Sequence, residues 1–175
     1  MGGLITVLTA LMDCKQEKMI KGIVLVGPLI EADPEVATPF KIMLARLLSG
    51  VLPGFQLGAL NREHITSDKE WLEIIQNDKL RWHGKFKALH SYVLLNRLQE
   101  LPKELANLTT PLYILHGEKD AICTPSGSKD LFQAATTTDK EIKIVEGAMH
   151  NLLVEREPIR SQTFSDIWAW VTART

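Results

Sequence analysis

The chain has 175 residues, 45% of them hydrophobic and 23% charged, with a formal net charge of -1 at pH 7. That balance suits a globular domain with a real core and offers no electrostatic case for nucleic acid. Two distant thiols, Cys14 and Cys123, with no leader-type start and no run of membrane-spanning length, point to a reducing, cytoplasmic setting.

In chain order, Leu4, Val7, Leu8, Leu11 and Met12 follow helical spacing and predict a helix over Gly2–Lys18. Ile20–Gly27 is a β-branched run that reads as a buried parallel strand, closed by Pro28. From Glu31 to about Leu108 the pattern is helical and broken by prolines and glycines, with helices expected over Pro39–Val51 and near Lys69–Gln76 and Lys85–Glu100. No strand pattern appears in this stretch, so it reads as a helical insert between two strands. A βα rhythm then resumes: strand Leu112–Leu115, helix Ser126–Ala135, strand Ile142–Val145 and helix Pro158–Val171. Right-handed crossovers would make these strands parallel.

Two residues stand where an open parallel sheet places its chemistry, at the carboxyl ends of strands. Asp120 ends the run that starts at Pro111, and His150 ends the run that starts at Glu141. Each alone would be an ordinary loop residue. Together, in the order acid then base, they match the last two members of a hydrolase triad. His83 and His90 lie seven apart, two helical turns rather than the one that helical zinc pairs use, so neither a metal nor a cofactor is expected there or at His64.

Four stretches carry a family resemblance. They are Met1-Gly2-Gly3, Gly27 to Glu35 with Ala37 to Lys41, Asp120-Ala-Ile-Cys123, and Glu146-Gly-Ala-Met-His150. In these the chain resembles the C-terminal part of the monoacylglycerol lipases, serine hydrolases of the α/β-hydrolase type. The resemblance implies an incomplete α/β-hydrolase fold: parallel core strands with flanking helices and an inserted helical cap. Residues 1–28 and 109–175 would form the partial core and 29–108 the cap. It implies Asp120 as acid, His150 as base, and Met1 at the oxyanion-donor position. The serine of the family's Gly-x-Ser-Met-Gly-Gly motif would immediately precede Met1. Cys14, Thr6 and Thr9 lie too far along the first helix to replace it.

The resemblance also makes Cys123 a candidate redox- or inhibitor-reactive thiol. It assigns Leu29, Phe40, Met43, Leu44, Leu47, Leu57 and Ile75 to an acyl pocket in the cap. The apolar set between Phe40 and Leu57 spreads wider than one helix face, which leaves surface for lipid and a peripheral membrane contact. The substrate implied for the full-length form is a long-chain monoacylglycerol or related lipid ester. Ile75 stands where the family often has Tyr, and Leu153 where it has a second His. These residues alone are expected not to hydrolyse esters. The alternative is a non-catalytic fragment that binds lipid or a partner.

Overall fold

A computed structural model describes residues 1–16, 18–32 and 38–175, and nothing is said of the side chain of Lys41. Part of the second motif, Asp33–Ala37, lies outside the described residues.

Helix α1 spans Gly2–Cys14 and buries Leu4, Val7, Ala10 and Leu11, a helical stripe that faces the sheet. It stops short of the expected Lys18. The Asp13 carboxylate accepts from the Met19 and Ile20 N–H groups at 2.9 Å each, and Lys18 turns left-handed with φ of 53°. The same bonds hold Ile20 out of the following strand, so β1 is only Ile23–Val26.

The insert carries α2 (Pro39–Val51), α3 (Lys69–Asn77) and α4 (Ala88–Glu100). Asp68 caps α3 by accepting from Glu70 N and Trp71 N at 3.0 and 3.2 Å. The helix expected from Lys85 begins only at Ala88, because residues 85–87 are used otherwise. Leu57 N and Phe86 N pair with Phe86 O and Gly58 O, and Gln56 bridges Lys87 in antiparallel sense. The insert thus contains a short extended pairing that the sequence pattern does not reveal.

Strand β2 is Leu112–Gly117, α5 is Pro125–Ala134, β3 is Lys140–Val145 and α6 is Ile159–Thr172. The sheet order is β1-β2-β3, all parallel, with Ile23 opposite Leu112 and Leu112 opposite Lys140. Among the described residues β1 pairs on one side only. All six residues of β2 are buried, as a central parallel strand covered on both faces requires.

Alternate residues of the strands feed two clusters. One joins Leu25 and Ile114 to α1 and to Leu131 of α5; the other joins Tyr113 and Leu115 to Leu152 and Trp170. Leu98, Leu101, Leu105 and Leu108 belong to the first cluster, so the last part of the insert is anchored in the core.

Candidate active site

The loops after β2 and β3 meet at the carboxyl ends of their strands. Glu118 N donates to Val145 O at 2.9 Å, Lys119 N to Ala148 O at 2.8 Å, and Gly147 N to the Glu118 carboxylate at 3.0 Å. Two glycines allow this approach. A Cβ on Gly117 would collide with the Met149 carbonyl and sit 2.6 Å from Ala148 O. Gly27, at φ of +52°, ends β1 in the left-handed region, and a Cβ there would sit 2.6 Å from His150 O.

The approach brings Asp120 and His150 together, with His150 Nδ1 at 2.7 Å from Asp120 Oδ2. The Asp120 side chain is fully buried and that of His150 is 25% exposed. Asp120 Oδ1 accepts from Ile122 N at 2.8 Å and Cys123 N at 2.9 Å, an Asx-type turn that fixes the carboxylate. Burial pushes the Asp120 pKa up. Hydrogen bonds from His116, His150 and the Cys123 N–H outweigh it and hold the carboxyl well below the usual carboxylate range. Asp120 is therefore an anion in the protein interior, and its partner His150 Nδ1 must carry a hydrogen to donate to it.

The histidine loop is also tied to the insert. The buried Glu155 carboxylate accepts from Met149 N at 2.9 Å and from Ser67 N at 3.1 Å and Oγ at 2.5 Å. Thr66 Oγ donates to Val154 O at 2.8 Å, and Asn151 N to Ile65 O at 2.8 Å. On the other side, Glu31 Oε1 accepts from Thr124 and Ser126 hydroxyls at the start of α5.

His116 has no role in the sequence reading, yet it is buried against Asp120. Its Nε2 lies 3.0 Å from Asp120 Oδ2 and 2.8 Å from Cys123 O, and its Nδ1 lies 2.7 Å from Ser128 Oγ. The sequence showed only a histidine inside an apolar strand, four residues before Asp120.

Cys123 is buried beside the pair. Burial and then the Asp120 carboxylate push its thiol up to about 12, with the Met1 ammonium pulling weakly the other way, so it is protonated at neutral pH. Asp120, Cys123 and His150 each offer a donor atom within 4.8 Å of the others. The carboxylate oxygens there are already taken by nitrogen donors. Cys14 differs: burial raises its pKa, but hydrogen bonds from Thr109 and Thr110 hold the thiol below its ordinary value.

Met1 is exposed and precedes the first turn of α1, its carbonyl accepting from Ile5 N at 3.2 Å. Leu29 packs against the core cluster rather than in the cap. Ile75 is buried and helps line a cavity of about 120 Å³ with Leu60, Ile65, Trp82 and Phe86. Phe40, Met43 and Leu47 point to solvent, and Leu44 and Leu57 are half-exposed.

A family model described as serine aminopeptidase, S33, matches residues 1–157. The chain belongs to this family of hydrolases. It is 35% identical to human monoglyceride lipase over 175 residues, which is 100% of this chain and 57% of the relative. It is 31% identical to the rat monoglyceride lipase, covering 99% of this chain and 56% of that one. Among solved structures, a soluble variant of the monoglyceride lipase of Saccharomyces cerevisiae, in complex with a substrate analog, superposes with a TM-score of 0.80 at 27% identity, over 99% of this chain and 59% of that one. The monoacylglycerol lipase of Paleococcus ferrophilus superposes with a TM-score of 0.88 at 23% identity, over 99% and 65%. The fold is therefore that of an α/β-hydrolase, represented among the described residues by three core strands. The chain spans a little over half the length of the curated relatives it matches.

Proposed function

We propose that this chain carries the acid–base half of a serine hydrolase that cleaves a long-chain monoacylglycerol to a fatty acid and glycerol. The observation that carries the reading is the 2.7 Å contact between His150 Nδ1 and the buried Asp120 carboxylate. Asp120 fixes the tautomer in which Nδ1 holds the hydrogen, so Nε2 is the nitrogen that takes the proton from a serine hydroxyl. The serine oxygen then forms a bond to the ester carbonyl carbon. His150 returns the proton to the glycerol oxygen as the acyl–oxygen bond breaks, and a water repeats the cycle on the acyl-serine. The Met1 position lies at the start of α1, where the family's oxyanion donor would stand.

Among the described residues no serine hydrogen-bonds the His150 ring, and in this reading the hydroxyl is that of a separate nucleophile-bearing segment. With a fluorophosphonate probe the 175-residue chain is expected to remain unlabelled. Co-expressed with the serine-bearing first half of human monoglyceride lipase, it is expected to release glycerol from a long-chain monoacylglycerol, and His150→Ala abolishes the release. Labelling of the chain alone at a stoichiometry near one would overturn this division of roles.

A second element of the reading is contact with a lipid surface. On α2 the residues Phe40, Met43, Leu47 and Val51 recur at helical spacing, and they are 67, 62, 66 and 73% exposed. The opposite side buries Ala45 against the insert, so the stripe is turned outward. Leu52, Phe55, Leu80 and Trp82 are further exposed apolar side chains of the insert. This arrangement, together with two free thiols, supports a cytoplasmic protein that meets a membrane through its cap.

A further inference from the structure

We propose that His116 is a positioning residue that acts through Asp120 to set how tightly His150 holds its proton. The inference rests on the reading of His150 as the base, and it adds a second histidine to the same carboxylate oxygen.

The geometry fixes the tautomer of His116. Its Nε2 faces two groups that can only accept, the Asp120 carboxylate at 3.0 Å and the Cys123 carbonyl at 2.8 Å. Nε2 must therefore carry a hydrogen. Its Nδ1 meets the Ser128 hydroxyl at 2.7 Å, a group free to donate, and both side chains are fully buried. A neutral imidazole held by Ser128 on one side and donating toward Asp120 on the other satisfies every polar atom.

The carboxylate then has four nitrogen neighbours: three hydrogen-bond donors in good geometry and, at 3.0 Å, His116 Nε2, whose hydrogen goes chiefly to Cys123 O and forks toward Oδ2. Two backbone N–H groups share Oδ1 and two imidazoles share Oδ2. Each donor draws charge from the carboxylate. The His116 bond thus lowers the proton affinity that Asp120 can impose on His150, and its fork to Cys123 O keeps Oδ2 aimed at the base. Around this pair, Cys123 on the acid loop is a protonated thiol. The Met1 ammonium approaches from α1, and Glu155 binds the backbone beside His150 through Met149 N.

Removing the His116 donor leaves Asp120 more basic, so His150 should keep its proton to higher pH. In the histidine-labelled chain, an NMR titration of His150 should move up by roughly one pH unit in His116→Phe. It should return most of the way in His116→Gln, whose side-chain amide restores a donor. A folded His116→Phe protein with an unmoved or lowered His150 midpoint overturns the proposal, as does a Gln variant that behaves like Phe. The unaltered chain gives an independent reading that needs no variant. Long-range proton–nitrogen correlation should place the hydrogen of neutral His116 on Nε2, and a hydrogen on Nδ1 alone would sink the idea. None of these readings involves ester turnover. A shifted His150 without monoacylglycerol hydrolysis in the complementation assay would leave this inference standing and remove the functional reading.

Discussion

At the residue scale the site depends on one buried anion. Asp120 has a folded pKa held below its unfolded value of about 3.9. A group depressed in this way stabilises the fold fully above the unfolded value, and the contribution is lost as pH falls toward the folded value. Stability measured by urea unfolding should therefore decline as pH drops from about 5 to 2. Asp120→Asn should cost about 1.5–3 kcal/mol at pH 7, because it removes charge-assisted bonds from a buried carboxylate. It should also flatten the acid slope relative to the unaltered chain. The depressed carboxylates of Asp139, Asp166, Glu104 and Glu157 remain in both proteins, so the difference isolates Asp120. Parallel curves for the two would show that Asp120 is not the anion described here. Asp120 and His150 were legible in the sequence because each closes an apolar strand with a polar loop residue. His116 was not, because a histidine inside an apolar strand looks the same whether it packs or hydrogen-bonds.

At the element scale, the Asp120 and His150 loops are joined by backbone contacts that leave no room for a side chain at Gly117. Gly117 ends β2 at the point where the Met149 and Ala148 carbonyls cross it. Backbone atoms on both sides cannot swing away as a flexible side chain would. Gly117→Ala is expected to destabilise the protein by about 1–3 kcal/mol and to part the two loops. The check is thermal unfolding together with the His150 resonance, which should lose the signature of its bond to Asp120. An alanine variant with unchanged stability would mean that the loops yield easily. Element types and order followed from periodicity, but several ends did not. The Asp13 side chain terminates α1 by binding Met19 N and Ile20 N, a local competition that hydrophobic spacing cannot report. The pairing of Gln56 with Lys87 closes a contact between residues 31 apart, beyond the reach of any local pattern.

At the scale of the whole molecule, the outer side of α2 meets solvent as an apolar stripe. The α2 stripe gives the lipid reading its own test. Leu47→Asp combined with Val51→Asp places two charges on exposed positions, where folding should be little affected. Co-sedimentation with phosphatidylcholine vesicles should fall at least tenfold in this variant while the unfolding free energy stays within about 0.5 kcal/mol of the parent. Equal vesicle binding by both proteins would assign the stripe to some other use. No helix among the described residues is long and apolar enough to cross a membrane, so the contact proposed is a surface one.

The sequence by itself determined the α/β class, the family resemblance and the placing of Asp120 and His150 at the ends of apolar strands. These are written locally, in hydrophobic periods and in short motifs at strand ends. Only the tertiary structure decided that His116 and His150 share one oxygen of Asp120, that Glu155 ties the insert to the histidine loop, that Cys123 is a buried, protonated thiol, and that the α2 stripe faces outward. Each of those depends on which distant segments pack together. The direction of a side chain, the donors around a carboxylate and the burial of a thiol are properties of that packing, and no local pattern carries them.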